Sequence, residues 1–153
     1  MIMDEPAVTH PKPECALAHH LFQIMWDLRR EARHICKPLG LSPTMFYLVD
    51  LIKLGYSQPK ELASRMHIVG PALSAMISEL KARDVVVSLQ DEQDARYRIL
   101  SLTPAGEALH QQVADAWQVQ VVTRYSHLGR DKVKALLAIL DEVSGQVPVW
   151  GSE

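Results

Sequence analysis

At 153 residues, 48% apolar and 22% charged, the chain is long enough to bury a core and too apolar to be disordered throughout. Its formal net charge of −2 excludes a protein that coats nucleic acid through bulk charge, although a local basic surface depends on distribution as well as on the sum. No run of about 18 apolar residues is present, so no membrane-spanning helix is expected.

The opening stretch MIMDEPAVTHPKPE has neither a basic n-region nor an apolar h-region, so a secretory leader is not expected and a cytoplasmic location is. Cys15 and Cys36 provide no disulfide framework, in keeping with a reducing compartment. Residues 1–13 carry Pro6, Pro11 and Pro13 and read as a flexible arm. From about Cys15, Leu17, Leu21, Ile24, Leu28, Ala32 and Ile35 recur every three or four residues. That spacing predicts one long amphipathic helix, ended by Pro38 and Gly40. Met25 and Trp26 add apolar surface beyond the single stripe, which implies a second partner for this helix, a dimer mate being the obvious one.

Ser42 followed by Pro43 reads as the cap and first position of a core helix carrying Met45, Phe46, Leu48, Val49, Leu51 and Ile52, closed by Gly55. A third helix begins near Gln58 or Pro59 and turns inward Leu62, Ala63 and Met66. After a turn over His67–Gly70, a fourth helix carries Leu73, Met76, Ile77 and Leu80. Two short helices joined by about four residues, the second running into a hairpin, form a helix-turn-helix pattern. The hairpin is read from Val85-Val86-Val87, the acidic patch Asp91-Glu92-Gln93-Asp94 and a returning strand from Arg96 to Leu102. Tyr56 and Ser57 lie where a short extended bridge to that hairpin would run. Thr103-Pro104 starts a long helix reaching about His127, and Val133, Leu136, Leu137, Leu140 and Val143 mark a last one. Residues 146–153 form a tail with Trp150.

Asp94-Ala95-Arg96 followed by Leu102-Thr103-Pro104-Ala105-Gly106 resembles the D-x-R wing and L-T-x-x-G continuation of the MarR family of winged-helix regulators. Leu41-Ser42, Glu61-Leu62-Ala63, Ser74 and Leu80 fit the same pattern, and the resemblance covers nearly the whole chain. It implies a mainly α (α+β) fold, a winged helix-turn-helix with long N- and C-terminal dimerisation helices. The whole of 1–153 is then one domain, with dimerisation helices at 14–40 and 104–145 and a DNA-binding lobe at 42–103. It further implies a homodimer on a pseudo-palindromic double-stranded operator, acting as a repressor released by a small phenolic or carboxylate effector.

On that reading Ser74, Ser78 and Lys81 face the major groove. Arg96 and Arg98 lie on the wing, where an arginine can enter a narrow minor groove. Asp94 can accept a hydrogen bond from Arg96 and hold its fork. The sequence departs from the family pattern at Val69–Ala72 and Ala75, at Glu79, and at Ser88-Leu89, where relatives tend to be hydroxylic or basic. Basic residues Lys60, Arg65, Lys81, Arg83, Arg96 and Arg98 are balanced by Glu61, Glu79, Asp84, Asp91, Glu92 and Asp94. The alternatives are an operator read mainly by shape and wing, or a dimeric ligand-sensing or interaction module that has lost DNA.

His20, Trp26, Arg30, Phe46 and Tyr47 supply an imidazole, a guanidinium and aromatic rings suited to an aromatic carboxylate. Cys15 at a helix start is a candidate redox residue. The seven histidines include no pair four apart and no H-E-x-x-H, so no metal or cofactor site is expected. No nucleophile motif or phosphate-cradling glycine loop is present, and no enzymatic activity is expected.

Overall fold

The structure, a computed structural model, describes residues 12–91, 94 and 97–144. Helix α1 spans Pro13–Cys36 and runs into a 3-10 turn, Lys37–Leu39. Helices α2 (Pro43–Lys53), α3 (Pro59–Met66) and α4 (Gly70–Ala82) follow. Strands β1 (Val86–Gln90) and β2 (Arg98–Leu102) pair antiparallel, with Val86 opposite Leu102 and Gln90 opposite Arg98. Helix α5 (Pro104–Tyr125), a 3-10 turn at Ser126–Leu128 and α6 (Arg130–Ser144) complete the order. The expected tail containing Trp150 and most of the expected arm lie outside the described residues.

The first four helical segments close in the same way. Gly40, Gly55, His67 and Asp84 each adopt a positive φ. The N–H of the apolar residue that follows reaches back across the last turn: Leu41 to the Cys36 carbonyl at 3.1 Å, Tyr56 to Leu51 at 3.0 Å, Ile68 to Ala63 at 3.1 Å and Val85 to Leu80 at 2.9 Å. This is the Schellman arrangement, which satisfies otherwise orphaned carbonyls and tucks an apolar side chain against the helix. Two of the four left-handed positions are not glycine. His67 and Asp84 stand at φ 52° and 55°, a region these residue types enter more readily than most. Asp84 is also why β1 starts at Val86 rather than at the expected Val85, whose N–H is committed to closing α4.

A first compact unit ends at Val113. Helix α2 runs through its middle. Ser42 caps it by accepting from the Met45 N–H at 3.1 Å, worth about 1 kcal/mol. Leu48, Val49, Leu51 and Ile52 are buried with Leu62 of α3, Leu73, Ile77 and Leu80 of α4, Val86 and Leu100 of the hairpin, and Cys36 and Leu41. The Leu100 N–H donates to the Ser57 carbonyl at 2.9 Å, a single hydrogen bond where an extended bridge was expected, and the sheet itself has two strands.

The joint at the hairpin's base is built on Thr103. Its backbone N–H donates to the Val85 carbonyl at 3.1 Å, and its hydroxyl donates to the Asp84 carbonyl. The same oxygen accepts the Gly106 N–H at 3.0 Å, capping α5. A Cβ at Gly106 would lie 2.0 Å from the Val85 carbonyl oxygen, so only glycine allows α5 to approach this strand end. The L-T-x-x-G spacing therefore has a mechanical cause: a cap, a tether and a close approach.

A second unit begins at Ala114. No residue between 114 and 144 is buried. Val119, Val122, Leu136, Leu137, Ile139 and Val143 are all exposed.

Candidate nucleic-acid interface

Helices α3 and α4 pack through Leu62, Leu73, Ile77 and Leu80, which are all buried. The opposite face of α4, along Pro71, Ser74, Ala75, Ser78 and Ala82, is exposed, as the spacing of these residues about a 3.6-residue turn requires. Ser74, Ser78 and Lys81 thus stand on the solvent side of the helix. The Ser78 hydroxyl donates to the Ser74 carbonyl of its own helix at 2.9 Å, so its proton is already in use and the oxygen is left as an acceptor.

On the hairpin, Val86 and Leu100 face the core, while Val87, Leu89 and Tyr97 are exposed and Arg98 is exposed at the start of β2. β2 begins two residues later than the expected Arg96. The Asp94 carbonyl accepts the Tyr97 N–H at 2.9 Å, and the Asp91 N–H donates to the Tyr97 carbonyl at 3.0 Å. Arg96, the expected minor-groove residue, lies outside the described residues, with Glu92, Gln93 and Ala95.

Two of the six basic residues counted toward a DNA footprint do other work. Arg83 donates through its two terminal nitrogens to the Leu39 and Gly40 carbonyls at 2.6 and 2.7 Å, closing the end of α1 with a fork geometry that only arginine provides. Arg65 lies over the Tyr56 ring, 3.7 Å from its centroid, and reaches Glu61 at 3.4 Å. Lys60, Lys81 and Arg98 are exposed.

The residues expected around an effector are not all alike. His20, Trp26 and Arg30 lie exposed on α1, with Arg30 bridged to Asp27 at 3.0 Å. Tyr47 is exposed on α2, whereas Phe46 is half-buried and stacks on His110 with ring centroids 5.7 Å apart. His110 in turn meets the Asp50 carboxylate through Nε2 at 2.9 Å, and both residues are buried. Sequence reasoning missed this α2–α5 pair. The signal was there: His110 falls four residues after Gly106 and three before Val113, on the face that packs inward, and Asp50 interrupts the apolar run of α2. Cys15 is exposed in the first turn of α1. Cys36 is buried, and burial pushes its thiol above the ordinary value. Among the described residues no group of three or more His, Cys, Asp or Glu side chains is arranged to hold a metal ion, and no single helix is long and apolar enough to cross a membrane.

No protein-family model matches the chain. The HTH-type transcriptional regulator FarR of Neisseria gonorrhoeae is 25% identical over 125 residues, which span 81% of this chain and 86% of that protein. Among solved structures, the transcriptional regulator BldR from Sulfolobus solfataricus superposes with a TM-score of 0.75 at 21% identity, covering 88% of this chain and 96% of its own. NadR in complex with 4-hydroxyphenylacetate gives 0.74 at 23% identity over 83% and 91%. A MarR variant from E. coli complexed with operator DNA gives 0.70 at 22% identity over 84% and 93%. The chain therefore has the winged helix-turn-helix fold of the MarR-family transcriptional regulators.

Proposed function

We propose that this protein is a sequence-specific DNA-binding transcriptional regulator, most simply a cytoplasmic repressor that works as a homodimer. The observation that carries the reading is the joint presentation of α4 and the hairpin within a MarR fold. One side of α4 is locked into the core by Leu73, Ile77 and Leu80 while the other is open to solvent. α4 enters the major groove with Ser74, Ser78 and Lys81, and the wing follows the adjacent minor groove with Arg96, held by Asp94, and Arg98. Two copies place their half-sites about 10 base pairs, or roughly 34–36 Å, apart or a multiple of that. The homodimer is supported by residues 114–144, which leave Leu136, Leu137, Ile139 and Val143 exposed and bury nothing within one copy.

NadR has been solved with 4-hydroxyphenylacetate, which supports a small aromatic or phenolic effector here too. Tyr47, Trp26, Arg30 and His20 are the residues proposed to meet it. Phe46 is already stacked on His110 and contributes a wall rather than a contact that opens on binding.

A second reading, a dimeric ligand-sensing or interaction module without DNA binding, is favoured by the exposed face of α4, where Lys81 is the single cation. Titration of the folded protein with duplex DNA from upstream of its own coding region separates the two. Tight, sequence-preferring binding is expected. Absence of binding at low salt would select the module.

A further inference from the structure

Over its first two turns the exposed face of α4 is small and uncharged, where a direct reader of guanine or adenine would carry arginine, asparagine or glutamine. Between Gly70 and Ser78 its solvent-facing residues are Pro71, Ala72, Ser74, Ala75 and Ser78, and Val69 just before the helix is 69% exposed. None of these can make the bidentate pairs that distinguish guanine or adenine in the major groove. The Ser78 proton is engaged with the Ser74 carbonyl, leaving Ser74 as the one free hydroxyl of the first two turns. The two cations nearest this face lie elsewhere in role or place: Lys81 comes a turn later, and Arg83 is bound to the end of α1.

What this surface does offer is methyl and methylene groups on a helix slim enough to sit deep in a groove. In the major groove only thymine presents an apolar feature, its 5-methyl group. Resting on the proposed DNA-binding role, we infer that α4 selects its half-site through thymine methyl groups, met by Val69, Pro71, Ala72 and Ala75, and not through guanine acceptors. Thymine-rich positions under α4 also suit the wing, because A·T tracts narrow the minor groove and concentrate the negative potential that draws arginine. One operator composition thus serves both elements.

The test begins with selection of duplexes from a random-sequence pool by the full-length protein at low salt. The best duplex is then resynthesised with deoxyuridine in place of thymine, which removes the methyl and keeps every hydrogen-bonding group. Each buried methyl lost should weaken binding about fourfold, so at least roughly tenfold is expected across two half-sites. Replacing guanine by 7-deazaguanine, which deletes the N7 acceptor, should leave affinity unchanged. Ala75→Gly should weaken binding to the thymine duplex by about fourfold and leave binding to the uracil duplex nearly unaffected, a coupling that mere loss of helix stability would not give. Equal affinity for thymine and uracil duplexes, or a loss on 7-deazaguanine instead, would overturn the inference while leaving the regulator reading intact. A folded protein that selects no duplex would overturn both.

Discussion

His110 of α5 and Asp50 of α2 meet at 2.9 Å inside the first unit, with Phe46 stacked against the imidazole. The pair ties the core helix of the lobe to the helix that leaves it. Because both residues are buried, deleting one leaves the other buried without its partner. Asp50→Ala and His110→Ala should each cost about 1–3 kcal/mol of unfolding free energy. The double variant should cost clearly less than their sum, a coupling on the order of 0.5–3 kcal/mol. Strictly additive losses in denaturant titrations would show that the contact contributes nothing.

The Thr103 joint makes a second, sharper expectation. Thr103→Val keeps the shape but removes both the tether to Asp84 and the cap on Gly106, and should cost about 1–2 kcal/mol. Gly106→Ala forces a methyl onto the Val85 carbonyl and should cost about 3 kcal/mol or more. A Gly106→Ala variant as stable as the parent would mean that α5 and the strand end are not held at this distance.

Self-association should depend on α6. Leu136, Ile139 and Val143 follow one another at helical spacing and are exposed in a single copy. Leu136→Glu with Ile139→Glu should shift the protein from dimer to monomer in sedimentation velocity. Persistence of the parent's oligomeric state would exclude this face from the interface.

The two cysteines should separate by reactivity. The thiolate is the attacking form, and burial raises the Cys36 thiol, so less of it ionises at any given pH than for an ordinary thiol. A thiol-specific reagent at mildly alkaline pH should label Cys15 and reach Cys36 only on unfolding. Equal labelling of both in the native protein would contradict the buried placement.

Much of the fold was legible because its signals are local. Ser42-Pro43, Pro59, Gly40 and Gly55 mark helix ends through backbone chemistry, and apolar spacing fixes which sides of α2 and α4 face inward. His67 and Asp84 were less visible as left-handed helix ends, since nothing but context separates such residues from ordinary surface positions. Pairings between distant elements were invisible for the same reason. Arg83 could be counted as a DNA-facing cation until its fork was seen on the end of α1. His110 looked like any helix position until Asp50 and Phe46 were brought beside it. The proposed interface itself was readable as residue types, and its departures from the family pattern at Ala72, Ala75 and Glu79 were readable too.

The most direct test of the central claim is a fluorescence-anisotropy titration with duplex DNA from upstream of the protein's own gene, repeated over a range of salt concentrations. Two wing arginines in each of two copies should give a log–log slope of affinity against salt steeper than about −3. Arg98→Ala in both copies should flatten it by about 2, with affinity falling on every sequence alike. A folded dimer that binds no duplex at low salt, or whose binding ignores salt and Arg98, would contradict a regulator that works through α4 and this wing.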